Sequence, residues 1–328
     1  MKRIQTIFAA AVLITITMQS CSKKQEGCTD IDACNFDTEA EEEDGSCTYA
    51  ITWYQDLDGD GLGNPGATIT SCDQPAGYID NNGDAADLLV TATQRATVTY
   101  VGATWCPPCG AYGDPTKVYM ENTHGSDVVI LNVQSGDAIS SSGEFGPTFG
   151  GAFQSFVSST SIPHAYWSGA NFTMVDRGFY TSASSNNSAA SADINAIIGN
   201  SPKVGVTAQA SLAGGTVTVH TLAKFYQVAG PHYIGVYLLE DGVMAMQQIT
   251  SQPATNTEHN NVVRDAAFTG NALGVESMGT SFAVNELVEG TYTIPAGSWN
   301  SSHLEVAVVI WEANSADGIS NAVKVPVP

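Results

Sequence analysis

Hydrophobic positions change their spacing along the chain, and each spacing predicts a different kind of element. Residues 95 to about 200 alternate between strand and helix patterns. "ATVTYVGAT", from Ala96, and "DVVILNVQS", from Asp127, are β-branched runs that fit buried strands. Phe149, Phe153 and Phe156 recur at helical intervals, as do Ile194, Ile197 and Ile198, with Gly199 as a stop. "SIPHAYW", from Ser161, reads as a turn into a strand. Beyond residue 203 the runs become short and alternating: "KVGVTAQASL", "GTVTVHTLAKF", "HYIGVYLLED", "TSFAVNEL" and "HLEVAVVIWEA", punctuated by Gly-Gly and Asp-Gly. Such spacing predicts an all-β sandwich, within which "VEGTYTIPAGSWNSSHLEVAVVIWE" reads as a strand pair joined by a loop. Residues 26–87 show neither period.

Charge sharpens this division. The 328 residues carry 33 acidic and 11 basic side chains, a net charge of −22. Residues 26–87 alone hold 16 Asp or Glu and no Lys or Arg. So acidic a chain repels nucleic acid. The acidic stretch has few apolar residues and needs staples to order it. Its cysteines, Cys28, Cys34, Cys47 and Cys72, are one set of staples, with three connectivities open to them. Its aspartates are another. Asp56, Asp58 and Asp60 alternate in "WYQDLDGDGLGNPG", and Asp84 follows at a distance. Alternating carboxylates can wrap Ca²⁺, which takes six to eight oxygens in flexible geometry. Ala67 stands where an EF-hand would place its closing glutamate. A solvated acidic turn is the competing reading.

The N-terminus points to export. Lys2 and Arg3 precede an apolar run, Ile7–Thr17, too short to span a bilayer. Ser20 and Cys21 follow at its end, resembling the lipoprotein box in which the cysteine is acylated; a plain signal peptide is the alternative. Setting Cys21 aside leaves six cysteines, the even number expected of disulfides in an oxidising compartment.

The pair in "TYVGATWCPPCGAYGDP" bears the clearest chemistry. A cysteine at a helix N-terminus has its thiolate favoured by free N–H groups and the helix dipole. Cys106 is the expected nucleophile and Cys109 the resolving thiol. A bridge across so small a loop adds little stability by chain entropy, although a permanent structural disulfide is the bland reading. His164, His259 and Arg264 are weaker polar candidates, read as structural.

"ATWCPPC" resembles the active site of thioredoxins and of periplasmic TlpA-like proteins. The layout, with "HNNVVRDAAF" and the final "GISNAVKVPV", is similar to the Omp28-related outer membrane lipoproteins. The resemblance covers about residues 95–328. It implies a thioredoxin-like α/β domain at 95–202 and a β-sandwich at 203–328, after a signal peptide with its lipid-bearing cysteine at 1–21 and a small disulfide- and calcium-stapled module at 22–94. It also implies that Trp105 shields the pair and that Pro163 is a cis-proline facing it. In thioredoxins a proline lies five residues past the second cysteine; Pro115 stands six past Cys109. "SGDAISSSGEFGP" reads as an inserted loop. No charged residue stands out as a buried proton acceptor. The acidic stretch resembles a Bacteroidetes surface-protein cysteine module followed by a thrombospondin type 3-like calcium segment. Two functions compete: an outer membrane lipoprotein, facing the periplasm or the cell surface, that exchanges disulfides with protein thiols; and a surface binding or adhesion lipoprotein using the same fold as a scaffold.

Overall fold

The computed structural model describes residues 24–59, 61–84, 88–134, 145–156, 161–169, 172–179, 182–312 and 318–328. The apolar leader, Cys21, Asp60 and most of the inserted loop lie outside the described residues. No described helix is long and apolar enough to cross a membrane.

Strands dominate. The acidic module holds β1 (Glu26–Gly27) and β2 (Glu42–Glu43), followed by β3 (Ile51–Gln55), β4 (Asn64–Ser71) and β5 (Tyr78–Ile79). The first two pair with each other, and β3 pairs with both β4 and β5. Cys28 is bonded to Cys47, and Cys34 to Cys72, which selects one of the three connectivities. Side chains do the rest of the stapling. Glu43 accepts hydrogen bonds from the Thr29 and Gly45 amides, which hold its carboxyl below the usual range.

Next comes a βαβ and ββα unit: β6 (Ala96–Gly102), α1 (Asp114–His124), β7 (Val128–Gln134), α2 (Phe145–Phe156), β8 (His164–Gly169), β9 (Phe172–Gly178) and α3 (Ala183–Ile198). β6 runs parallel to β7 and antiparallel to β8. Its side chains are buried throughout because both faces are covered. On one face Val98 and Tyr100 join Met120 of α1 and Ile194 and Ile197 of α3. On the other, Val101 joins Phe149 and Phe153 of α2.

The remaining strands are β10 (Val204–Ala213), β11 (Thr216–Phe225), β12 (His232–Glu240), β13 (Val243–Ile249), β14 (Gln252–His259), β15 (Val262–Ala266), β16 (Val275–Gly279), β17 (Leu287–Pro295), β18 (Leu304–Glu312) and β19 (Ile319–Pro326). Two sheets face each other across an apolar core. One is β10-β11-β17, and β12, β18 and β19 supply the other side. Two sequence expectations change here. β17 and β18 are not a strand pair: β17 hydrogen-bonds β11, whereas β18 lies between β12 and β19 in the opposite sheet. "TSFAVNEL" is mostly loop. Phe282 stacks on Phe225 with ring centroids 3.9 Å apart, and Asn285 takes a positive φ of 67°, which turns the chain. Its alternating pattern reflects one anchored aromatic rather than a strand.

The sheet does not stop at the expected boundary near residue 202. One nine-stranded sheet runs β19-β18-β12-β15-β7-β6-β8-β9, with β16 also on β12. The junction is the parallel contact between β7 and β15, where Val262 pairs with Asn132. Buried Asn132 adds two bonds, its amide donating to Asn261 O and its side chain to Asn260 O, both at 2.9 Å. The sheet also curls back until β19 meets β8. Ser168 Oγ accepts from Ile319 N at 2.7 Å and donates to Ile319 O at 3.1 Å. Inside this curl lies a single cluster drawn from both halves. Leu131, Phe149, Phe153 and Tyr166 pack with Tyr237, Leu239, Val309 and Trp311.

A shared core makes the two halves unfold together. Phe153 meets Trp311 edge-on at 6.1 Å and Tyr166 at 5.2 Å. Phe153→Ala is expected to cost about 3–5 kcal/mol. In urea, hydrogen exchange at β6 and at β18 should report one coincident transition; separate transitions would show two independent domains.

Candidate functional site

Two backbone segments build the site. β6 delivers Ala103 and Thr104 at its C-terminal end, and the chain then turns into a helix at Pro107. Prolines suit this first turn because its N–H groups have no intrahelical partner. Cys106 sits just before the turn, and the Cys109 amide donates to its sulfur at 3.2 Å. Cys106 and Cys109 are joined as a disulfide.

From Cys109 to Gly113 the helix is a π turn, and α1 continues it. The Asp114 amide donates to Cys109 O, five residues back. The π turn accommodates one extra residue, which explains why Pro115 stands six positions past Cys109 rather than five. The two glycines in the turn answer to packing. A Cβ on Gly113 would lie 2.2 Å from the Tyr100 hydroxyl, and one on Gly110 would lie 2.4 Å from the carbonyl oxygen of Gln248.

Ile162, the residue before Pro163, packs against Ala103, Cys106 and Cys109. The Ile162–Pro163 bond is cis. Trp105, expected as a shield, is 56% exposed on the surface beside the pair. His164 has side-chain partners. Its ring bonds Asp176 Oδ1 at 2.5 Å and Ser161 Oγ at 2.9 Å, which fixes its orientation next to Pro163. Arg264 is in a buried cross-strand pair with Glu240 at 2.8 Å, and His259 is fully buried; both read as structural.

Two groups escaped the sequence reading. The first is a buried ion pair on α1, the helix that follows the cysteine turn. Lys117 Nζ lies 3.3 Å from Asp114 Oδ1 and 4.9 Å from the centroid of the Tyr100 ring. Asp114 Oδ2 is buried with no hydrogen-bond partner. Burial, with Asp114 adding its charge, pushes the Tyr100 hydroxyl well up and keeps it protonated. The signal was present as Asp and Lys at an i,i+3 spacing on α1. The second group is the β13–β14 hairpin, which lies over the pair. Gln248 N donates to Thr104 O at 2.7 Å and Thr250 N to Pro107 O at 3.2 Å. The Gln247 amide nitrogen lies 3.1 Å from Cys106 O and 3.3 Å from Ala103 O. Beneath it Cys106 is 3% and Cys109 1% exposed.

The acidic loop between β3 and β4 is a separate place. Asp56 accepts from the Gly59 amide at 2.8 Å and the Gly61 amide at 3.3 Å. Asp84, which is buried, reaches the same loop through its amide, which bonds Gly63 O at 3.2 Å. Asp58 is half-buried there. Among the described residues, the cluster with metal-ligand spacing is Cys28, Glu43 and Cys47, whose sulfurs are already bonded to each other.

The fold and site together describe a mostly β protein with few helices and a disulfide-stapled N-terminal region. No protein-family model matches the chain, and no curated protein matches it. Among solved structures it is similar to HBP35 of Porphyromonas gingivalis, a Bacteroidetes protein, with a TM-score of 0.61 at 11% identity. The match covers 72% of this chain and 76% of that one. At that identity the likeness is one of fold. The sporulation control protein Spo0M of Bacillus subtilis, at a TM-score of 0.25 and 15% identity over 39% of this chain and 49% of its own, is too distant in shape to bear on the argument.

Proposed function

We propose that this is an envelope protein of the Omp28-related type that exchanges disulfides through Cys106 and Cys109. The observation that carries the reading is the Cys106 sulfur at a helix start with the Cys109 N–H directed at it. That donor stabilises a thiolate more than a thiol.

In the reduced protein, the Cys106 thiolate attacks one sulfur of a substrate disulfide. The substrate bond breaks, its second sulfur leaves as a thiolate, and a mixed disulfide forms. Cys109, deprotonated, then attacks Cys106. The substrate departs as a dithiol, and the bond seen in the structure is restored. The proton that Cys109 loses passes to a departing substrate thiolate. Protein disulfides are the proposed substrate class, with Trp105 exposed beside the pair as an apolar contact for a polypeptide.

Burial of both sulfurs favours a second reading, that of a binding or adhesion scaffold whose disulfide is permanent. An insulin-reduction assay with dithiothreitol separates the two. The oxidoreductase reading expects turnover that Cys106→Ser abolishes; equal rates for the two chains would leave the scaffold.

Two further proposals rest on the sequence. Acylation of Cys21 would anchor the chain to the outer membrane, with Cys21→Ser expected to move it from the membrane to the soluble fraction. Calcium would be held at the β3–β4 loop by Asp56, Asp58, Asp60 and Asp84, and the convergence of Asp56 and Asp84 on that loop supports the set. Titration calorimetry should show calcium uptake that Asp84→Asn removes. Uptake unaffected by that change would exclude this ligand set.

A further inference from the structure

The β13–β14 hairpin has no place in thiol chemistry as such, yet it is bonded across the cysteine turn. Ala103 and Ile162 pack against the pair, and the helix continues from Cys109. The hairpin reaches the turn from the other half of the chain. Two backbone N–H groups of the hairpin, from Gln248 and Thr250, bond the carbonyls of Thr104 and Pro107, on either side of Cys106. An extended segment that paired with these carbonyls would have to displace the hairpin.

Gln247 reinforces the contact. The side chain is 1% exposed, and its two N–H bonds are shared among the carbonyls of Ala103, Cys106 and Gln248. Its neighbours on the strand, Met244 and Met246, point outward and are exposed. The buried amide is thus out of keeping with an ordinary surface hairpin. A buried polar side chain is retained only where its hydrogen bonds are made. Gly110 completes the fit, because the hairpin carbonyl of Gln248 occupies the space a β-carbon would need.

We propose that the β13–β14 hairpin is an intramolecular gate over the Cys106–Cys109 disulfide, latched by Gln247, that must swing away before a thiol can reach the sulfurs. The proposal rests on the oxidoreductase reading for its purpose, but its geometry is independent of it. With the gate open, a dithiol reductant attacks one sulfur of the pair. The Cys106–Cys109 bond breaks, the freed sulfur leaves as a thiolate and takes a proton, and the second thiol of the reductant displaces the mixed disulfide. The protein gains two electrons and two protons, and the reductant becomes a disulfide.

The test is the rate at which dithiothreitol reduces this disulfide in the full chain, followed by thiol trapping and mass spectrometry. Three chains are compared: wild type, Gln247→Ala and Gly110→Ala. The last is informative because alanine suits a helix better than glycine, so it displaces the hairpin without weakening the turn. The gate predicts reduction roughly tenfold faster in each variant, the scale of losing two buried hydrogen bonds. In the wild type, reduction should be slower folded than in urea, by a factor that matches the exchange protection of the Gln248 and Thr250 amides. Should a variant fail to fold, this wild-type comparison decides alone. Equal folded and unfolded rates, or folded variants that reduce at the wild-type rate, would overturn the gate. A variant that reduces quickly yet turns over no protein disulfide leaves the gate standing and removes the oxidoreductase reading.

Discussion

The contact on which the rest of the structure depends is the seam between β7 and β15. A single residue pair and the two bonds of Asn132 carry the sheet from the α/β unit into the β-sandwich. Those bonds alone are modest. They persist because the curled sheet buries one apolar cluster contributed by both sides, with Phe153, Tyr166 and Trp311 at its centre. The hydrophobic gain of that cluster is lost if the halves separate, so they move as one body. Polar ties elsewhere follow the same seam. Fully buried Asn321 bonds Arg95 N, Thr93 O and Val204 O, one side chain joining three segments.

The seam explains the site. Along the chain, β13 and β14 connect β12, which is central to the large sheet, to its neighbour β15, which forms the junction. Fixing β15 against β7 therefore fixes the hairpin against the end of β6, where the cysteine turn begins. The glycines of that turn then have a physical reason. Gly113 makes room for Tyr100, and Gly110 makes room for the hairpin backbone. Their cost in helix propensity, about 1 kcal/mol each relative to alanine, is offset by the contacts they permit. The disulfide is buried as a consequence of long-range packing, not of its own loop.

Local chemistry was legible in the sequence and long-range placement was not. Buried β-branched runs marked β6 and β7, and the phenylalanine spacing marked α2, because one period governs each of them. The cysteine motif and Ile162–Pro163 were legible because both are read from adjacent residues. The hairpin was missed because β14, "QPATNTEH", has no apolar alternation, and its value lies in backbone bonds that any residue but proline can make. The pairing of β17 and β18 was misread because sequence adjacency favours a hairpin, whereas the loop between them crosses from one sheet to the other. Asp114 and Lys117 look like an ordinary helix-surface pair, and only the Tyr100 side of the fold reveals that they are buried.

The account makes the Cys106–Cys109 bond a working redox couple held under cover, not a permanent cross-link. The reduction potential of the full chain, measured by equilibration against glutathione and dithiothreitol buffers, tests this most directly. The account predicts a potential in the range of disulfide oxidoreductases, above about −300 mV. A value well below that, where structural disulfides lie, would contradict it.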